Sequence, residues 1–574
     1  MDAKADAIPP LSAVERSDRF YLLALVILLV PLKAWLLCNT EVAARDSIGY
    51  IRYALHLEQM RLADAMCLHE QHPGYAFCIW LVSMPLRALH GGVDADIMRV
   101  AAQTVSALAA LLLIFPMFFL GKRLVGARAA FWGALLFQVM PVSAHHLADG
   151  ISEPLFFLLL TTALWQAAVG LQPVAEQPAA EPNARPKRAL FLAGVFGGLA
   201  YLTRPEGAFV IAAAGVVLLG RQMVRGWRVS WRECVAGGLC LSLPALAAVG
   251  LYILATGSLT RKLAPKFIAG MESLALRGDR PREEGAETED ARTKRGLDGG
   301  GAVFASFIPH AKDYPTRLTR GARALALELM QGFHYVGAIG FLLGLWWFGG
   351  RLARQPGFWV IVGVMLLQAA ALLLLAVRLF YISDRHTMVI ILPGCPIMAA
   401  GIIEFARRLR ARFVASSWGQ AIARRSPFIA RSSPAPYLLV GLALCSLPKT
   451  LEPVHYNRAG NHVAGLWLRD RMQDGDLIED DHCWSHYYAG RVFVEGREPD
   501  VKPDYAPKCY VVMTRSNVKE VDDVRKGREE ELRRLKAGIV FHWPEKADAE
   551  KARVVIYELP RDRDKQPWRV AGLK

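Results

Sequence analysis

An aspartate, Asp46, stands in a short polar stretch, Ala43-Ala44-Arg45-Asp46-Ser47-Ile48-Gly49-Tyr50, just after a long apolar run from Phe20 to Cys38. A carboxylate this close to a bilayer surface is costly unless it is paired or used. Paired with its neighbour Arg45 at an exposed surface, it is worth at most about 1 kcal/mol. Used, it is a proton acceptor of the general-base kind. A second acid, Glu153, closes the stretch His145-His146-Leu147-Ala148-Asp149-Gly150-Ile151-Ser152-Glu153-Pro154. Ser152 is a good helix N-cap and Pro154 is tolerated in a first helical turn. Glu153 therefore falls at a helix start, where the dipole favours its ionised form.

Three cations lie in comparable positions. Arg204 is in Leu202-Thr203-Arg204-Pro205-Glu206-Gly207, and Lys262 closes Thr256-Gly257-Ser258-Leu259-Thr260-Arg261-Lys262. Arg385 is in Arg378-Leu379-Phe380-Tyr381-Ile382-Ser383-Asp384-Arg385-His386. An arginine near a helix end commonly snorkels to the interface. Its planar fork also binds two phosphate oxygens at once. Acids and cations gathered at one depth suit an anionic, lipid-linked substrate.

The elements that position these residues are apolar runs. The chain has 574 residues, 53% of them hydrophobic, with a net charge of +16 and a mean hydropathy of +0.24. That is too apolar for an ordinary soluble protein. Runs of ~17–25 apolar residues cross a bilayer as helices. Besides 20–38, spans are expected near 101–120, 129–147, 154–170, 189–203, 207–220, 233–255, 333–349, 357–377, 387–404 and 435–449. A soluble protein this basic would suggest nucleic acid. Here the excess lies in short connections: Lys122, Arg123 and Arg128; Arg185, Lys187 and Arg188; Arg221, Arg225 and Arg228; Arg351 and Arg354; Arg407, Arg408, Arg410 and Arg412. They follow every second span and, with Arg16 and Arg19, mark the cytoplasmic side. This register requires that Pro73 to Leu89 lie at the outer face as an interfacial helix. About eleven crossings follow, with the C-terminus outside. The first nineteen residues are mixed in charge and no small-residue cleavage site follows, so 20–38 is expected as a retained anchor.

Three polar stretches interrupt this scaffold. Gln172 to Arg188 reads as a flexible linker, Gly278 to Gly301 as a charged mobile loop, and Arg407 to Pro436 as a basic segment facing anionic head groups. From Leu451 the composition becomes that of a soluble domain. Strands are expected at 475–479, 509–514, 538–543 and 554–559, with helices at 461–472 and 518–537, giving a small α/β domain. Cys483 and Cys509 fall in it, and a disulfide between them is open in an oxidising compartment. Cys234, Cys240, Cys395 and Cys445, within apolar runs, read as small core residues. The resulting division is 1–19 cytoplasmic, 20–450 transmembrane and 451–574 extracytoplasmic.

In this order the features resemble the GT-C superfamily of polyprenyl-phosphate-sugar-dependent glycosyltransferases, and within it the relatives of protein O-mannosyltransferases and lipid A aminoarabinose transferases. The resemblance rests on Arg45-Asp46-Ser47 with Tyr50 and Tyr53-Ala54, His72-Pro73-Gly74-Tyr75, Gly121-Lys122-Arg123-Leu124-Val125-Gly126, Ser152-Glu153-Pro154-Leu155-Phe156 and Leu202 to Gly207. It covers roughly residues 20 to 400. It implies that Asp46, the acid of the first outer loop, is catalytic, that Glu153 is a second catalytic acid, and that Arg204 is a basic residue of the substrate site. Arg45, Tyr50, His72, Asp149, Lys262 and Arg385 complete the expected substrate site. The sequence departs at His72-Pro73-Gly74, where relatives have Lys-Pro-Pro, so another group must hold the lipid phosphate.

The resemblance implies a multi-pass protein of the cell (inner) membrane with its site on the extracytoplasmic face. Its partners would be a polyprenyl-phosphate-sugar donor and a lipid, glycan or protein acceptor, without nucleic acid. No metal or other cofactor is expected. The alternative of a divalent ion among Asp46, His145, His146 and Asp149 is kept open, because some relatives use one. His69-Glu70-Gln71-His72 lacks the spacing of a zinc-protease pair, and no Walker-type glycine loop occurs. The rival reading is a polytopic transporter of an anionic lipid or glycan, which would show internal repeats and charges near mid-membrane. A simple anchor for the C-terminal domain would need only one or two spans.

Overall fold

The computed structural model describes residues 16–172, 184–224, 227–262, 305–307, 314–379, 381–418, 420, 433–480, 482–495, 505–515 and 519–560. The expected charged loop 278–301 lies outside them, as do most of the linker at 172–188 and the middle of the basic segment, 421–432. Of the linker, Ala184 to Arg188 is already helical. Of the basic segment, Arg407 to Ala415 continues a long helix.

Backbone groups that water cannot reach must be satisfied within their own segment, so the apolar runs fold as helices. Among the described residues six are long and apolar enough to cross a membrane: α1 (Arg16–Cys38), α5 (Ala95–Val125), α8 (Glu153–Gly170), α11 (Trp231–Thr256), α14 (Pro356–Leu379) and α15 (Asp384–Ala415). A seventh is possible if α12 (Tyr314–Gly332) and α13 (Val336–Leu352), bent by 98° at their junction, make one broken span. Each of the eleven expected runs does fall on helix. Those helices do not by themselves establish eleven crossings, because several are short: α6 (Ala127–Val139), α10 (Ala208–Gly220) and α16 (Ala435–Thr450) have 13, 13 and 16 residues. The run 129–147 breaks at Met140 into α6 and α7 (Pro141–His146), and α9 (Ala184–Thr203) carries Arg185, Lys187 and Arg188 in its first turns. Helix α12 was not anticipated, since it is amphipathic rather than uniformly apolar.

Contacts at the ends of the helices fix their relative directions. Lys122 near the end of α5 pairs with Asp18 at the start of α1, at 2.7 Å. Helices α1 and α5 therefore run in opposite directions, and the intervening α2 (Arg45–Gln59), α3 (Leu62–Leu68) and α4 (Pro73–His90) make no net crossing. This is the behaviour the charge pattern demanded of Pro73 to Leu89. The indole of Trp227 donates to the Arg354 carbonyl at 3.0 Å, joining two of the basic connections at one end of the bundle. The opposite end carries α2 to α4, the 147–152 loop, Arg204, Lys262 and the start of α15. One cation breaks the pattern of charges at helix ends: Lys33 is 2% exposed within α1, its ammonium without a hydrogen-bond partner among the described residues.

The C-terminal residues fold around a four-stranded sheet. It comprises β3 (Leu477–Asp480), β4 (Lys508–Thr514), β5 (Gly538–Trp543) and β6 (Val554–Pro560), in the order β3-β4-β6-β5. Strands β3 and β4 pair in parallel, and the other pairs are antiparallel. Helix α17 (Ala459–Arg469) packs on it, α18 (Cys483–Tyr488) follows β3, and α19 (Lys519–Arg534) follows β4. A further short pair, β1 (Ala305–Phe307) with β2 (Tyr381–Ser383), lies directly before α15. The disulfide considered for this region, between Cys483 in α18 and Cys509 on β4, is not formed.

Candidate active site

Asp46 is the second residue of α2. This helix turns Ile48, Ile51 and Leu55 inward with Tyr50, Tyr53 and Ala54, at the three-and-four spacing that gives a helix one buried face. The Asp46 carboxylate stays at the edge of that face, its side chain 46% exposed. Gly150 takes the left-handed φ of +67°, and a Cβ there would stand 3.2 Å from Ser47 Oγ. Glycine thus lets the loop before α8 close against α2, bringing Glu153 towards Asp46.

Between them stands Arg385 from the first turn of α15. Its guanidinium pairs with the Asp46 carboxylate, and its Nε lies 3.9 Å from Glu153 Oε1. Arg204, between α9 and α10, reaches the same Glu153 oxygen through Nη1 at 2.5 Å and Glu206 Oε1 through Nη2 at 3.1 Å. The result is a continuous run of alternating charge, Asp46–Arg385–Glu153–Arg204–Glu206, drawn from four segments of the chain. Its middle is deeply buried, with the Glu153 and Arg204 side chains 3% and 8% exposed. Tyr50 donates to Ser152 Oγ at 3.0 Å, and Ser152 Oγ donates to Glu153 Oε2 at 3.4 Å. A cleft opens on this run, lined by Glu153, Arg204, Glu206, Arg385 and His386 on its polar side and by Phe156, Phe157 and Val389 on its apolar side.

Lys262 completes the cluster. It feels Arg204, Glu206, Glu153 and Arg385 electrostatically, yet among the described residues its ammonium is in no ion pair. Burial, and then the charge of Arg204, lower its pKa to about 8. Nearby, His72 donates to or accepts from Thr260 Oγ1 at 3.1 Å and stacks on Tyr252 at 4.5 Å. Burial, and then Lys262, push His72 down to about 3, so it is neutral. The residue at this position is thus a neutral ring, and Lys262 is the nearby charge. The Arg385 guanidinium holds Asp46 below the usual carboxylate range, outweighing the opposite push of burial.

The remaining expected residues lie apart from this run. Arg45 is exposed at the first position of α2, and the partner of Asp46 is Arg385 instead, because the helix turns adjacent residues about 100° apart. Asp149 is held by His455 Nε2 at 2.7 Å, in the segment leading into the C-terminal sheet. His146 pairs with Asp384 at 3.2 Å and His145 bonds the Thr450 carbonyl at 3.0 Å. Each candidate metal ligand therefore has its own partner, and among the described residues no three such groups converge on one point. Glu206 was quoted in its motif without a role. Its signal is its place two residues after Arg204, and its Oε2 is buried without a hydrogen-bond partner among the described residues. Gln368 in the cleft lies inside the apolar run 357–377, and His386 ends the polar stretch that carries Arg385.

Comparison with known proteins bears on the fold that carries these residues. Residues 96–252 match the family model of the dolichyl-phosphate-mannose-protein mannosyltransferases. The whole chain is similar in structure to ArnT from Cupriavidus metallidurans in its apo state, at 13% identity and a TM-score of 0.51, covering 94% of this chain and 98% of that one. ArnT from the same organism bound to undecaprenyl phosphate gives the same identity and TM-score over 95% and 98% of the two chains. No curated protein matches by sequence. The chain thus shares its fold with these ArnT structures, and residues 96–252 carry the mannosyltransferase family pattern. The resemblance read from the residues holds, with the mannosyltransferase pattern in 96–252 and the shared fold along almost the whole chain.

Proposed function

We propose that the chain moves a sugar from a polyprenyl phosphate to an acceptor hydroxyl on the extracytoplasmic face of the cell membrane. The observation that carries this reading is the run of alternating charge at the cleft, with one half-exposed carboxylate at its end and, beside it, an ammonium in no ion pair among the described residues. The basic connections at the opposite end supply the orientation.

The acceptor oxygen attacks the anomeric carbon from the face opposite the phosphate. The bond between that carbon and the phosphate oxygen breaks with its electron pair going to the phosphate, and Asp46 takes the hydroxyl proton. Inversion follows from this geometry. Arg385, Arg204 and Lys262 meet the growing phosphate charge in a site with little water, where fixed cations act most strongly. Arg385 has a second effect. In the free enzyme it is bound to Asp46 and weakens it as a base. A phosphate that draws Arg385 away returns basicity to Asp46 when the donor is in place. Glu153 holds both arginines at their stations, and Tyr50 and Ser152 hold Glu153.

Asp46→Asn tests the reading. The amide keeps the shape but cannot take the proton, so the rate should fall by ~10²–10⁴-fold. The assay is full-length protein in phosphatidylethanolamine–phosphatidylglycerol vesicles with host membrane lipid extract as donor source, followed by mass spectrometry of the polyprenyl phosphate released. A folded Asp46→Asn chain that keeps near-normal transfer would refute the assignment. Comparing lipid-linked sugars and envelope glycans with and without the chain would identify the sugar.

A further inference from the structure

The start of α2, which carries Asp46, is not fixed by its own sequence. Its N-cap is Ala44, which has no side-chain oxygen to bond the first backbone N–H groups, whereas Ser, Thr, Asp or Asn is the usual solution. The residue before it, Ala43, is buried at 2% exposure, so its backbone groups need partners. Both partners come from the C-terminal region. The Ala43 N–H donates to the Tyr488 hydroxyl at 2.8 Å, and the Trp484 indole donates to the Ala43 carbonyl at 2.7 Å. Four residues upstream the strand-like contact continues: Val454 N donates to the Asn39 carbonyl at 2.9 Å, and Glu41 N donates to the Val454 carbonyl at 3.1 Å. Trp484 and Tyr488 lie one turn apart on α18 and are 0% and 1% exposed. They form one face presented to the backbone of a single residue, three residues before Asp46.

We propose that Trp484 and Tyr488 are positioning residues for transfer: by gripping Ala43 they set where Asp46 stands, and the C-terminal sheet region is a working part of the site. This rests on the reading of Asp46 as general base. It also explains why Asp46 can be half exposed and still placed, since its backbone is held from behind by groups more than 400 residues away in sequence. Tyr487, on the same helix, is equally buried but bonds the Ala95 carbonyl at the start of α5. It is the natural control.

The test is a double-mutant cycle in the full-length chain, using the vesicle assay above. Tyr488→Phe should lower the transfer rate about tenfold, with the affinity for undecaprenyl phosphate unchanged, while Tyr487→Phe changes the rate less than about threefold. In an Asp46→Asn background, Tyr488→Phe should cost no more than about twofold further, because the group it positions is already gone. An equal cost in both backgrounds overturns the inference, as does an equal effect of Tyr487→Phe. Should Tyr488→Phe fail to accumulate, Trp484→Phe carries the same cycle and the same outcomes. Normal transfer by Asp46→Asn alone overturns the general-base reading and this inference with it, which separates that failure from a failure of positioning.

Discussion

Two groups of arginines and carboxylates, at opposite ends of the bundle, use the same chemistry to different effect. On the last turns of α15, Glu404 accepts from Arg407 and Arg408 at 2.6–2.7 Å, all within one helix, with the arginines 68% and 51% exposed. At the start of the same helix, Arg385 joins Asp46 and Glu153, and Arg204 carries the chain of charge on to Glu206. The first group has good distances and little weight, because water screens it and two long side chains must be ordered. In the second, Glu153 and Arg204 at the middle have no water to fall back on, so each depends on its partners. Hydrogen-bond distance does not tell the two apart. Burial and the number of elements joined do.

Removing a buried member should therefore have the largest effect. Arg204→Met leaves Glu153 and Glu206 facing each other in the interior without their shared cation. Thermal unfolding in detergent should show a loss of about 3–5 kcal/mol, the usual cost of orphaning a buried charge. A loss below about 1 kcal/mol would mean that the site behaves like the exposed group, and the comparison would collapse.

Next in size is a pH effect through Arg385. Asp46 works as the carboxylate, so activity is lost as pH falls through its pKa. Arg385 keeps that pKa below the usual range, and Arg385→Gln should move the acid limb of kcat/KM to higher pH, since that profile reports the free enzyme. An acid limb that stays in place would show that Arg385 does not govern Asp46.

Lys262 gives a smaller effect at the other end of the pH scale. With its pKa lowered to about 8, it is charged below that value and neutral above it. Affinity for undecaprenyl phosphate should fall by up to about tenfold at pH 9, where such a group is roughly nine-tenths neutral. Lys262→Arg, charged throughout, should abolish that fall. A pH-independent affinity in the native chain would remove Lys262 from the phosphate site.

The smallest effect belongs to the exposed group. Arg407→Gln with Arg408→Gln should change the thermal midpoint by an amount corresponding to less than about 1 kcal/mol and leave transfer within about twofold. A loss of activity matching that of the buried site would show that the two ends are coupled.

The sequence by itself determined which residues end at each face. Apolar runs must become helices in a bilayer, and short basic connections must alternate, so Asp46, Glu153, Arg204, Lys262 and Arg385 were placed at one level from composition alone. The Asp18–Lys122 pair bears out the direction of α5 and the non-crossing α4. Which partner each charge takes was decided by the tertiary structure. Helices that are apolar on every side show no face to read, so nothing local said that α15 would turn Arg385, 339 residues away, towards Asp46, or that Glu206 would share Arg204. Asp149 reads as part of the substrate site from its place in the 145–154 stretch. Its engagement by His455 depended on where the C-terminal segment returned to the bundle. The same return supplies Trp484 and Tyr488 to a helix start that Ala44 leaves uncapped. A local sequence can specify a helix and its depth, because those depend on nearest neighbours and solvent. Pairing between distant buried groups depends on packing, which only the assembled chain defines.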